Sequence, residues 1–244
     1  YMYIAFIGCM AMSREVSREV SESKHCIRTW WLKQGLHDTP DLLRKNLQEQ
    51  IDLVEEESRG QDRYHQFQYI CLGYGLCSNG IVGIHSKEIP LIIPRCDDCI
   101  SLFLGSAERY RKLFSQYDGG AFWYTNGWIE QAVTPSVLSY KRLYESYVKR
   151  FGEENAKFLL DSRNDWMKNY HHCVYIEDPE WQCRENVQYT KQAAKDFSWK
   201  YHFEKGDNSY FHSLINGPWD EKCFLICPPG KVVEADYSTL KIKA

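Results

Sequence analysis

Long apolar runs are missing from this 244-residue chain: none approaches the roughly 18 to 20 residues that a membrane-crossing helix needs. The opening YMYIAFIGCMAM is apolar but short, with neither a basic flank nor a small-residue cleavage site. Both observations point to a soluble, cytoplasmic protein. Basic clusters are missing as well. Lys and Arg number 30 against 33 Asp and Glu, for a net charge of −3, and the cations are scattered. Neither nucleic acid nor an anionic membrane would find an electrostatic footprint. Phosphate-cradling loops are absent too. Gly73, Gly75 and Gly80 have the wrong spacing for a dinucleotide fingerprint, and PPGK shares only its Gly-Lys ending with a Walker loop.

What the chain has in excess is cysteine, ten residues, and aromatic rings, including 8 Trp and 17 Tyr. A chain of this length buries a core without covalent staples, and a reducing cytosol keeps thiols free. Disulfides are therefore not expected. The ten thiols are small core residues, redox groups or metal ligands. The rings bury large areas while keeping polar tips, which lets an otherwise polar chain fill a core.

Apolar runs alternate with helical periodicity along the chain. Strands are expected at 3–8, 26–32, 67–72, 91–93, 121–125, 172–176, 199–203 and 223–226. The clearest helix follows HDTP: Thr39 caps it, Pro40 fits its first turn, and Leu43, Leu47, Ile51 and Val54 form one stripe that ends near Ser58 and Gly60. Asp97 or Asp98 caps a helix through Cys99, Ile100, Leu102 and Phe103. Residues 136–170 read as helical with a break at Gly152. This alternation predicts an α/β fold, with mostly parallel sheet flanked by helices and two or more similar αβα lobes. The whole chain, 1–244, reads as one domain with lobes 1–135 and 136–244.

In open α/β sheets, ligands bind beyond the carboxyl ends of the strands. Cys9 follows the first strand; Gly73, Tyr74, Gly75 and Cys77 the third; Arg95, Cys96 and Cys99 the fourth. Three loops thus each deliver a thiol, and three thiolates select zinc, copper(I) or iron–sulfur groups over hard cations. Cys99 falls in the first turn of a helix beside Arg95, where thiolate is favoured. The glycines around Cys77 suit a backbone that must approach something closely. Core filling is the alternative role for Cys9, Cys77 and Cys99, and it is the one expected for Cys26, Cys71, Cys173, Cys183 and Cys223.

Other groups read less distinctly. Cys96 and Cys99 form a single C-x-x-C, so the four-thiolate zinc ribbon is missing, and no thioredoxin-like context supports a redox pair. Tyr74, Asn79, Arg95 and Trp128 are expected to line the substrate or cofactor site. Glu130 and Asp207, each just past a strand, are acid/base groups or caps of the following helix. His37 lines the site or steadies its loop. His171 and His172 point apart on a strand and cannot easily share one metal. Trp123, Tyr124 and Trp128 form either a cation–π cage or part of the core.

The stretches QGLHDTPDLL, YICLGYGLCSNGIVGI, IPLIIPRCDDCISLFLGS and WYTNGWIE resemble the DUF1638 family of anaerobic bacteria and methanogenic archaea. EKGDNSYFHSLINGPWD and FLICPPGK resemble it more loosely. The resemblance puts the family's cysteines on Cys9, Cys77 and Cys99 and leaves Cys96 outside the pattern. It implies no established reaction; the company its relatives keep implies a corrinoid or methyltransferase partner. Three functions follow as expectations. The leading one is a [4Fe–4S] cluster held by Cys9, Cys77 and Cys99, with one iron open to a small-molecule substrate. The others are a zinc site on the same residues that activates a thiol for methyl transfer, and a non-catalytic accessory protein for a corrinoid or a methylated ligand.

Overall fold

A computed structural model describes residues 1–132 and 134–244. In chain order the first elements are β1 (Tyr3–Cys9), α1 (Ser13–Glu22), β2 (Cys26–Leu32), α2 (Pro40–Arg59), β3 (Tyr69–Gly73), β4 (Leu91–Pro94), α3 (Ile100–Phe103) and α4 (Ala107–Gln116). Then come β5 (Ala121–Tyr124), α5 (Asn126–Gln131), α6 (Val137–Phe151), α7 (Glu153–Asn164), β6 (His172–Glu177), α8 (Arg184–Asp196) and β7 (Lys200–Lys205). The chain ends with α9 (Ser209–Asn216), β8 (Phe224–Cys227), β9 (Glu234–Ala235) and β10 (Ile242–Lys243). They fall into two compact units, one of residues 1–109 with 207–244 and one of residues 110–206. The division therefore lies at 109/110 and 206/207 rather than 135/136, because β5 pairs with β6 and draws residues 121–124 into the second unit.

The first unit is built on a five-stranded sheet in the order β2-β1-β3-β4-β8. The first four strands are parallel and β8 runs antiparallel to β4. In β1, Ile4, Ala5, Phe6 and Ile7 are all fully buried, the unbroken apolar run of a strand covered on both faces. Leu43, Leu47, Ile51 and Val54 are fully buried along α2, one side of its 3.6-residue period. Pro40 takes the first helical position, while Thr39 contributes its carbonyl to Leu43 N–H (3.0 Å) instead of the expected side-chain cap.

The second unit carries a parallel three-stranded sheet, β5-β6-β7. Its core gathers Tyr124, Cys173, Tyr175, Ala193, Ala194 and Trp199. The helical stretch breaks at Gly152, which adopts φ +81°, between α6 and α7.

All ten cysteines are free thiols. Cys71 and Cys173 are fully buried, as core residues should be, but Cys26 and Cys223 are exposed and Cys183 is half-buried. Cys26 opens β2, an edge strand with one neighbour, and Cys223 sits in the turn before β8. Neither place is sealed by a second layer. Among the described residues, no helix is long and apolar enough to cross a membrane.

Candidate functional site

The strand order 2-1-3-4 reverses direction between β1 and β3. Such a switch point opens a crevice beyond the carboxyl ends of the two strands, where α/β sheets take their ligands. Gly8 pairs with Gly73 across this point, so the next residues, Cys9 and Tyr74, leave the sheet side by side. Bare glycine is needed here: a Cβ on Gly73 would lie 2.6 Å from Met12 Sδ and 2.7 Å from the Phe6 ring.

Cys77 arrives from the loop after β3. That loop is lashed to the one after β4 by Leu76 N–H to Cys96 O (2.8 Å) and Cys77 N–H to Asp97 O (3.0 Å). Gly75 allows the approach, since a Cβ there would stand 2.7 Å from both the carbonyl oxygen and the sulfur of Cys96. Gly75→Ala is expected to push the two loops apart at a cost of about 1–3 kcal/mol, measured by denaturant unfolding, with Cys77 moved off its neighbours. Cys77, Ser78 and Asn79 are then successive left-handed residues, at φ 46°, 56° and 65°. Each non-glycine residue in that region costs roughly 1–2 kcal/mol. The run is held from outside by Arg44 of α2, which donates to the carbonyls of Asn79 (3.2 Å) and Val82. Strain of this kind collects at functional sites.

Cys99 stands at the start of α3, where Asp98 accepts the N–H of Ile100 at 2.9 Å. The Cys99 thiol is hydrogen-bonded to Cys77, and this bond with burial, Asp98 and the charges on Cys77 and Cys9 holds it well above the ordinary thiol range. Burial likewise pushes Cys9 up to about 11, against the pull of a hydrogen bond from Ala11 N–H and with a further push from Cys77. These thiols are protonated at neutral pH. The expected preference of Cys99 for thiolate is opposed by the bond to Cys77 and by burial, then by Asp98, and α3 offers only a single turn. Arg95 does not help, because its guanidinium is spent on the carbonyls of Glu221 (2.7 Å), Phe224 (3.2 Å), Leu240 (3.2 Å) and Ile242.

Tyr74 completes the group. It is only 4% exposed, and its hydroxyl is buried without a hydrogen-bond partner. Burial and then the charges of Cys9, Cys77 and Cys99 raise its pKa well above the usual phenol value. Cys9, Cys77, Cys99 and Tyr74 thus form one interacting set built from three loops. Among the described residues, no three His, Cys, Asp or Glu side chains stand as a ready site for a metal ion.

The other expected site residues have their own local settings. Asn79 contributes its carbonyl to Arg44 and so serves the loop. Asp207 accepts Ser209 N–H at 2.8 Å and donates its own N–H to Phe103 O, just ahead of α9, whose N-cap position is Asn208. His37 lies 3.3 Å from Asp38 in a short turn before α2. Trp128 and Glu130 belong to α5 of the second unit. Trp123 packs on Tyr110 and Tyr117, while Tyr124 fills the core and donates to Pro135 O at 2.9 Å. Neighbours on a strand face opposite sides, so these two do not build a cage. His172 meets His202 across β6 and β7, Nδ1 to Nε2 at 2.9 Å.

A mostly parallel sheet flanked by helices places this chain among the α/β proteins. The chain belongs to the DUF1638 family, described as a protein of unknown function, whose model matches residues 31–215. Cys77, Cys99 and Tyr74 lie inside that span and Cys9 precedes it. No curated protein and no solved structure matches the chain.

Proposed function

We propose that Cys9, Cys77 and Cys99 hold a [4Fe–4S] cluster with one iron left open to a small-molecule substrate of anaerobic one-carbon chemistry. The observation that carries this reading is that Cys9, Cys77 and Cys99, thiols from three separate strand ends, interact with one another, Cys77 and Cys99 by a hydrogen bond. Three sulfur donors suit iron–sulfur groups or zinc and no hard cation. Core filling would need neither the left-handed turn at 77–79 nor the orphaned hydroxyl, both of which cost stability. A single zinc would need its sulfurs within about 4 Å of one another, given Zn–S bonds near 2.3 Å. A four-iron cluster spreads its thiolate ligands over a wider span than one zinc ion does.

The chain's own groups then have distinct roles. Ala11 N–H already donates to the Cys9 sulfur and would favour its thiolate. The lashings of Leu76 and Cys77 to the loop after β4 keep the Cys77 and Cys99 sulfurs in register. When bound, the cluster supplies a Lewis-acidic iron with an open position for a substrate oxygen or nitrogen.

The test is purification without oxygen, or reconstitution with ferrous iron and sulfide, followed by metal analysis and the visible spectrum. A brown protein with about four iron and four sulfide per chain is expected. One zinc and no colour would transfer the site to zinc chemistry, and a protein that takes up neither would refute the reading.

A further inference from the structure

We infer that His172 and His202 form a pH-sensitive latch on the sheet of the second unit. The pair holds β6 to β7 while it carries at most one proton, and it loosens them when acid adds the second.

The register of β6 on β7 sets His172 opposite Lys200 and Val174 opposite His202. Alternate residues of a strand share a face. His172 and Val174 therefore lie on one side of the sheet with Lys200, His202 and Glu204 of β7, and with Ala121 and Trp123 of β5. On that face the two imidazoles meet nitrogen to nitrogen at 2.9 Å, so one ring must donate and the other accept. Tyr117, 3% exposed in the turn after α4, packs on both, its ring centroid 5.2 Å from that of His172 and 4.5 Å from that of His202. Its hydroxyl donates to Glu204 Oε1 at 3.2 Å. Among the described residues, no third His, Cys, Asp or Glu joins the pair as a site for a metal ion, which leaves proton uptake as its chemistry.

A neutral pair keeps its bond, and so does a pair with one proton, because an imidazolium still donates to a neutral imidazole. The second proton makes both nitrogens donors and sets two cations side by side, so repulsion replaces the bond. The charged neighbours on this face both come from β7. Lys200 opposes the second proton and Glu204 favours it, whereas Ala121, Trp123 and Val174, like Tyr110 and Leu113 on the buried side of α4, bring no charge. Burial comes first among the causes that hold His202 below the ordinary imidazole value, followed by His172 and Lys200, with Glu204 pulling the other way. In the unfolded chain both rings take up protons near about pH 6.5. The stabilisation supplied by the pair is therefore complete above that value and is lost as pH falls through the lower, folded one.

The test compares the full wild-type chain with His202→Gln, whose amide can still meet the His172 ring but takes up no proton. Two readouts are made between about pH 7.5 and 5, a window that brackets the ordinary imidazole value: titration of the imidazole signals by NMR, and amide hydrogen exchange of β6, β7 and β1 corrected for the pH dependence of the chemical step. In the wild type, the His172 and His202 signals should move together in two linked steps, the second about one pH unit or more below the ordinary value. Amide protection of β6 and β7 should fall about tenfold in the wild type and clearly less in His202→Gln, while β1 of the first unit behaves alike in both proteins. The wild-type titration needs no substitution and covers the case in which His202→Gln folds poorly. Imidazoles that titrate singly near about pH 6.5, or equal losses of protection in the two proteins, would overturn the inference.

Discussion

Cys77→Ser is expected to remove iron and colour from the protein while leaving it folded. Serine keeps the size of the side chain, and the backbone lashings of residues 76 and 77 do not involve the sulfur. What changes is the ligand: an alcohol is a hard, weakly acidic donor where a soft thiolate is needed. Cys9→Ser and Cys99→Ser should behave alike, each reducing iron per chain at least about tenfold, the usual scale for losing a metal-binding contact. The contrast lies in the other cysteines. Cys26→Ser and Cys223→Ser alter exposed thiols and should leave iron content unchanged. Cys173→Ser alters the core of the second unit and should lower its melting temperature without touching the iron. Loss of iron in the exposed-thiol variants would mean that the colour resides elsewhere.

Loading should also depend steeply on pH. Each thiol must lose its proton to ligate, and burial holds Cys9 near about 11, while the bond to Cys77 and burial hold Cys99 high. Both groups would therefore release protons if a cluster bound at neutral pH. Affinity rises with pH, by up to about tenfold per pH unit for each proton released. Competition with an iron chelator between about pH 6.5 and 8.5 measures it, and a flat profile would show that the raised thiols are not ligands.

Much of this architecture was legible from residue patterns, and the reasons for the remainder are specific. Strand β1 and helix α2 were visible because an unbroken apolar run and a 3.6-residue stripe have no other use. Cys9, Cys77 and Cys99 could be singled out as candidates because they follow three strands, and strand ends are where α/β sheets bind. The left-handed run at 77–79 carries no glycine, and only Asn79 hinted at it. The duty of Arg95 was hidden because its acceptors lie between Glu221 and Ile242, more than 120 positions along the chain. The two-residue strands β9 and β10 are too short to leave a pattern. Orphaning of the Tyr74 hydroxyl is a three-dimensional fact with no local signature. Glu55 was overlooked for a different reason: it lies four residues after Ile51, on the buried face of α2, where a charge should have raised a question.

Glu55→Ala is expected to be among the most damaging single substitutions in the first unit. The residue is 2% exposed, and its carboxylate accepts from the loop that leads into β4. The donors are Ser86 Oγ (2.8 Å) and the N–H groups of Lys87 (3.0 Å), Glu88 (2.7 Å) and Ile89 (3.1 Å). Truncation would strand the N–H groups of Lys87 and Glu88 beside a cavity and leave Ile89 N–H with Ser86 Oγ alone (3.0 Å), and losing several hydrogen bonds to one charged group costs about 3–5 kcal/mol in all. Glu55→Gln keeps an acceptor oxygen and should lose less, about 1–3 kcal/mol. The pH dependence gives an independent signature. Burial pushes the Glu55 carboxyl up, but the donors from Glu88, Ser86, Lys87 and Ile89 outweigh it and leave the pKa below its ordinary value. A carboxyl depressed in the folded state contributes its full stabilisation above the unfolded value, near about 4.3, and loses it as pH falls through the folded value. Urea unfolding followed downward from about pH 7 should therefore show wild-type stability declining below that range. The Glu55→Gln curve, which has no proton to bind there, should run flatter over the same interval; parallel curves would show that the carboxylate is not what organises the loop before β4.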